Sequence, residues 1–132
     1  MIHGVGTDLL EIARMRTTLD HFGDRLPRRI LHRAEWPRFE KDRDRARWLA
    51  KCFAAKEATV KALGTGFRGI AWHDIGLTAA AQRRPLLVFS DHAAQILARA
   101  GIEVAHVSIT DERDLVMAFV VLEKPCAGQP FP

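Results

Sequence analysis

The stretch from Trp48 to Leu63 contains neither proline nor glycine, is rich in alanine, leucine, lysine and glutamate, and runs directly into Gly64-Thr65-Gly66. These are strong helix formers, and glycine just past a last turn is the usual stop, so one long helix is expected here. The rest of the chain has to be organised around it. At about 100° per residue, Leu49, Cys52, Phe53, Val60 and Leu63 share one stripe, the face a helix buries. Lys56 projects from near the middle of that stripe, Glu57 sits at its edge, and Lys61 follows one turn on. A lysine among core positions either snorkels out or meets an anion, because an unpaired buried ammonium is very costly. Glu57 and Lys61 can be read as a solvated i,i+4 pair worth a few tenths of a kcal/mol. They can equally belong to a site, since three charges crowd the border of the buried face just before the Gly-Thr-Gly turn. Such a turn either caps the helix or brings backbone N–H groups near a phosphate.

The other elements follow from local patterns. Residues 2–8 alternate loosely, with Ile2 and Val5 apolar, and predict a short strand ending at Asp8. Asp8, with Glu11 three residues on, also fits a capping box for the helix predicted from Glu11 to Phe22, where Ile12, Met15, Leu19 and Phe22 repeat. Gly23 and Pro27 are read as breaks, followed by a short helix or turn around Ile30, Leu31 and Trp36. Residues 40–47 are charged and read as an exposed loop or the first turns of the long helix. Strands are expected to about Ala79 and over Pro85–Phe89, joined as a hairpin through Gln82-Arg83-Arg84. Asp74 reads as a turn or cap residue. Ser90 caps a helix from Asp91 to Ala100, with Ala94, Ile96 and Leu97 expected inside. Residues 102–110 alternate as a strand, 110–114 form a turn, and the apolar run from Leu115 to Leu122 predicts a central or interface strand. The fold class is therefore α+β, a small antiparallel sheet against one long helix and shorter helices. One domain over 1–124 and a flexible proline-rich tail over 125–132 are expected.

Two segments carry a resemblance. Phe53-Ala54-Ala55-Lys56-Glu57-Ala58, followed by Lys61-Ala62 and Gly64-Thr65-Gly66, resembles the signature helix of the 4′-phosphopantetheinyl transferases. Gly4-Val5-Gly6-Thr7-Asp8 resembles the N-terminal signature of the short members, the holo-acyl-carrier-protein synthases. The resemblance implies transfer of the phosphopantetheine arm of coenzyme A to a serine of apo acyl carrier protein, releasing 3′,5′-ADP, in fatty acid biosynthesis. It implies Mg2+ held by Asp8 and Glu57, with Glu57 the leading candidate for the base, directly or through a water, and Lys61 placed to touch the transferring phosphate or to protonate the leaving ADP side. Lys56, Gly64, Thr65, Gly66, His106 and Arg47 are the residues it puts near coenzyme A, Lys56 alternatively holding the core beneath the site. Leu10 stands where larger relatives have a second acid. Cys52 stands where short members often have a basic residue, with Lys51 or Arg47 as replacements. Short members are homotrimers with the site between subunits.

The formal net charge is +4, which suits an acidic partner. Arg14, Arg16, Arg25, Arg28, Arg29, Arg33 and Arg38 crowd one part of the chain. They read as a solvated face, or as the surface of a small basic nucleic-acid-binding module without catalysis. The resemblance supplies a third reading, in which Arg14 and its basic neighbours dock an acidic carrier protein. No helix-turn-helix, zinc or stacking signature favours nucleic acid, and no apolar run reaches the length of a membrane span, so neither is an expected partner. A cytoplasmic protein is expected, with Cys52 in the core and Cys126 a free thiol.

Overall fold

The structure is a computed structural model, and it describes residues 1–126 and residue 128. Of the expected tail, all but Pro125, Cys126 and Gly128 lies outside the described residues. The elements in chain order are β1 (Ile2–Glu11), α1 (Ile12–Phe22), α2 (Arg25–Ile30), α3 (Trp36–Lys41), α4 (Arg45–Leu63), β2 (Ile75–Ala79), β3 (Pro85–Phe89), α5 (Asp91–Arg99), β4 (Val104–Glu112) and β5 (Leu115–Glu123). Single turns of 3-10 helix precede α3 and β2 and link β2 to β3.

The long helix is α4. It starts three residues before the expected Trp48, because the Asp44 side chain accepts a hydrogen bond from the Arg47 N–H at 3.2 Å and caps the charged segment as helix. It stops at Gly64, which is left-handed (φ 87°). Its burial exceeds the expected single stripe. Besides Leu49, Cys52, Val60 and Leu63, the alanines at 46, 50, 54, 55, 58 and 62 are buried, while Phe53 is only half-buried. Alanine adds little to a hydrophobic stripe but lets other backbones approach closely, so α4 is enclosed on several sides.

Two antiparallel sheets are present where one was expected. The larger has the order β1-β5-β4, and the smaller is the β2-β3 hairpin. The central strand β5 alternates. Val116, Ala118, Val120 and Leu122 are wholly buried toward α4, and Leu115, Met117 and Phe119 face outward. β4 and β5 join through Arg113-Asp114 alone, tighter than the predicted turn, with Arg113 at φ 50°.

β1 runs to Glu11 and does not end at Asp8, which lies inside the strand opposite Ala118. The capping-box reading of Asp8 therefore falls: the N-cap of α1 is Glu11, with no side-chain cap bond. Pro27 does not break the chain but sits buried inside α2, in the first turn where its missing N–H costs nothing. In α5 the buried residues are Ala93 and Leu97, four apart, and the expected Ala94 is exposed. Ser90 caps α5 as expected, accepting from the Ala93 N–H at 3.1 Å.

Candidate active site

The site begins with the way β1 lies on α4. A Cβ placed on Gly4 would stand 1.9 Å from the Ala62 carbonyl oxygen, and one on Gly6 would stand 1.9 Å from that of Ala58. Only glycine permits this contact. Alternate residues of a strand share a face, so Asp8, next in the row after Gly4 and Gly6, is turned toward the same helix. Each step of two along β1 passes one turn down α4 toward its N-terminus, which brings Asp8 to the turn carrying Glu57. Helical side chains lean toward the N-terminus, so Lys61 reaches back to the same place.

Lys61 Nζ donates to Asp8 Oδ1 at 3.1 Å and to the Thr7 carbonyl at 2.9 Å. It makes no ion pair with Glu57 among the described residues, so the solvated i,i+4 reading is replaced by a contact across two elements. Glu57 is half-buried, and the Trp72 indole N–H donates to its Oε1 at 3.4 Å. Gly64, Thr65 and Gly66 form an exposed turn just beyond Lys61, where the Thr65 hydroxyl donates to the Gly66 carbonyl at 3.2 Å. Two carboxylates, one ammonium and this turn thus share one end of α4. Among the described residues no cluster of three or more His, Cys, Asp and Glu side chains could hold a metal. Asp8 and Glu57 nevertheless offer hard oxygens in the number that suits Mg2+, which keeps waters and completes its shell from a substrate phosphate.

Three residues expected near the ligand lie elsewhere in the chain's own structure. Lys56 has no exposed surface. Its ammonium donates to Glu35 Oε1 at 2.5 Å and to the Ile75 carbonyl, so it holds the core and presents no surface to a ligand. Glu35, equally buried, also accepts from the His32 and Leu77 N–H groups at 2.8 and 2.9 Å. A buried anion for Lys56 was foreseeable, but Glu35, 21 residues earlier, had no signal of its own. Arg47 lies ten residues before Glu57 on α4, roughly 15 Å along the axis. It donates to Asp111 Oδ2 at 2.8 Å and to the Arg113 carbonyl at 2.7 Å. His106 stands on the outer face of the larger sheet, opposite to Asp8, and its Nε2 lies 2.6 Å from Glu123 Oε2.

A second charged group surrounds Asp111. Burial works to raise its carboxyl, but hydrogen bonds from Arg47 and Lys51 outweigh that and hold it below the usual range. Both residues named as stand-ins for a basic residue at Cys52 therefore converge on this carboxylate. Cys52 itself is buried, which with the nearby Glu35 pushes its thiol well above the usual value and suits a packing role. Lys51 and Asp111 line a cavity of about 370 Å³ with Arg38, Trp48, Pro85 and Ile109. Asp74 is the expected turn residue: it accepts from the Ala71 N–H at 2.8 Å and from the Ser90 hydroxyl at 2.7 Å.

The fold and this corner define a small α+β protein in which one long helix sets Glu57 and an Asp8–Lys61 pair along the same edge. The family model of the 4′-phosphopantetheinyl transferase superfamily matches residues 4–120. The chain belongs to that superfamily. It is 46% identical over 125 residues to the holo-[acyl-carrier-protein] synthase of Thiobacillus denitrificans, covering 94% of this chain and 95% of the relative. The crystal structure of the holo-[acyl-carrier-protein] synthase from Neisseria meningitidis superposes with a TM-score of 0.91 at 38% identity, over 94% of this chain and 100% of that one. The Bacillus anthracis synthase in complex with CoA (3′,5′-ADP) superposes with a TM-score of 0.79 at 30% identity, over 95% and 99%.

Proposed function

We propose that this protein is a holo-[acyl-carrier-protein] synthase, which moves the 4′-phosphopantetheine arm of coenzyme A onto a serine hydroxyl of apo acyl carrier protein and releases 3′,5′-ADP. The observation that carries the reading is the Asp8–Lys61 contact beside Glu57, made by two segments far apart in sequence. The serine oxygen bonds to the β-phosphorus of the pyrophosphate as the bond from that phosphorus to the bridging oxygen breaks. The bonding electrons leave with 3′,5′-ADP. Glu57 takes the serine proton, directly or through a water. Lys61, already held by Asp8, presents fixed positive charge to the transferring phosphoryl group without having to reorganise. Asp8 and Glu57 are the proposed Mg2+ ligands, and the ion supplies further positive charge to the pyrophosphate oxygens when bound. Gly64, Thr65 and Gly66 flank the phosphates.

The carrier protein is the proposed acidic partner. Among the described residues no carboxylate pairs with Arg14, Arg25, Arg28 or Arg29, all of them exposed, whereas Arg16 and Arg38 pair with Asp44 and Asp42. The Arg29 guanidinium also stands 6.0 Å from the centre of the Trp72 ring, so this basic surface reaches the Glu57 corner. The proposed assembly is a homotrimer, supported by the apolar outer face of the larger sheet. The proposed setting is the cytoplasm and fatty acid biosynthesis, with which two free cysteines agree. A nucleic-acid-binding module is left without support, since neutralising a phosphate backbone is the work of Arg and Lys and gains nothing from carboxylates placed beside Lys61.

Intact mass of apo acyl carrier protein, after incubation with this protein, coenzyme A and magnesium, tests the reading. A gain of one phosphopantetheine arm is expected, prevented by chelator and abolished in folded Asp8→Ala, Glu57→Ala and Lys61→Ala. No mass gain with any of several carrier proteins overturns it.

A further inference from the structure

Glu57 has one hydrogen-bond donor among the described residues, the indole N–H of Trp72 on Oε1. Lys61, the obvious neighbour one turn away, is turned to Asp8 and Thr7 instead. We propose that Trp72 is a positioning residue for the transfer reaction, its indole N–H fixing the Glu57 carboxylate so that the other oxygen, Oε2, faces the reacting groups. The proposal rests on the reading of Glu57 as a site carboxylate given above.

A glutamate side chain has several rotatable bonds, and ordering it at the moment of reaction costs free energy that a fixed one has already lost on folding. Trp72 is itself fixed. Its ring centre lies 5.8 Å from that of Phe53, tilted 42°, and 5.4 Å from that of Phe67 at 61°. Phe53 stands on α4 four residues before Glu57, hence on the same face, and Phe67 comes from the segment after α4. Trp72 opens the 3-10 turn before β2, whose last residue, Asp74, is held by Ala71 and Ser90. Helix, following turn and second sheet thus aim a single N–H at a single oxygen. Indole donates and accepts nothing, so it can orient the carboxylate but takes no proton from it. The 3.4 Å separation is long, as such bonds often are before substrate completes a site. Phenylalanine at this position would keep most of the aromatic packing and lose the donor.

Trp72→Phe in the full chain tests this by kcat and KM with coenzyme A, apo carrier protein and magnesium, and by Mn2+ binding without substrate, read by electron paramagnetic resonance. Removing a group that orients a metal-ligating carboxylate is expected to lower kcat and weaken Mn2+ binding by about tenfold each, with KM for coenzyme A within about twofold. Wild-type kcat and Mn2+ affinity overturn the proposal, and so does a loss confined to KM, which would make Trp72 a substrate contact. A second measurement holds even if that variant does not fold. The chain has three tryptophans, and one of their three indole 15N–1H signals is expected to shift in Glu57→Ala and to broaden first with Mn2+ in the wild-type protein. Indole signals unchanged by Glu57→Ala overturn the proposal. If the wild-type protein modifies no carrier protein, the functional reading fails, whereas these indole signals still decide whether Trp72 holds Glu57.

Discussion

Lys56 and Glu35 are each without exposed surface, 2.5 Å apart, and between them they tie α4 to the turn before α3 and to β2. Breaking a buried pair by removing one partner costs about 3–5 kcal/mol, because the other charge is left uncompensated. Lys56→Met is therefore expected to lower stability in urea by that amount. Adding Glu35→Gln should recover part of it, since a neutral amide oxygen still accepts from the Leu77 N–H without carrying a charge. Under conditions where the variant is folded, KM for coenzyme A should stay at the wild-type value; a large rise would return Lys56 to the ligand. His32 gives a pH signature. Burial is the main cause holding its imidazole below the ordinary value, and its Nδ1 accepts from the Ala34 N–H at 3.0 Å, so the neutral ring is built in. The unfolded chain then binds the proton more readily than the folded one. Stability from this group is present above the unfolded value of about 6.5 and is lost as pH falls through the lower folded value. Urea unfolding at pH 5 and 7.5 should show that loss, and His32→Asn, which keeps an acceptor for Ala34, should reduce it.

At the scale of elements, the union of β1 with α4 decides whether a site exists. In Gly6→Ala the new Cβ meets the Ala58 carbonyl at 1.9 Å, and backbone has to move. Overpacking of this kind costs about 1–3 kcal/mol. Activity per folded molecule should fall as well, because the displaced strand carries Asp8. A melting curve and the carrier-protein mass assay check the two parts separately. The same two elements explain what the sequence disclosed. α4, the β2-β3 hairpin and α5 are written in local signals: helix-forming composition, a turn between apolar runs, a serine cap. The full length of β1 is not, because Asp8 with Glu11 three residues on reads as the start of the next helix, and only the pairing with β5 carries the strand on to Glu11. The all-round burial of α4 was hidden because alanine hardly marks a face. Asp8, Glu57 and Lys61 were legible as motif residues, and the structure joins Asp8 to Lys61 while the side chain of Glu57 meets Trp72. The separation of Arg47 and His106 from them depends on helix length and sheet face, which a motif does not encode.

For the molecule as a whole, the outer face of the larger sheet is the unfinished surface. Leu9, 65% exposed, lies opposite Met117 in the register, and Phe119, 41% exposed, stands between Thr7 and Ser108, with Val5 and Val104 nearby. Contiguous apolar surface of this kind marks an interaction site, and it is the face on which the proposed homotrimer rests. The wild-type protein is expected to sediment as a trimer, and Phe119→Glu as a folded, inactive monomer, because a charge would be desolvated at each contact. The Arg47–Asp111 corner, which its own chain holds roughly 15 Å along α4 from Glu57, is available in such an assembly to a neighbour's Asp8 corner. Complementation tests that arrangement. Asp8→Ala and Arg47→Ala are first assayed alone, where each is expected to be inactive, then dissociated, mixed in equal amounts and reassociated. If every site takes its Asp8 from one chain and its Arg47 from the next, about a quarter of the interfaces pair two intact halves and activity returns to that extent. If each chain serves its own site, every site keeps one defect and the mixture stays inactive.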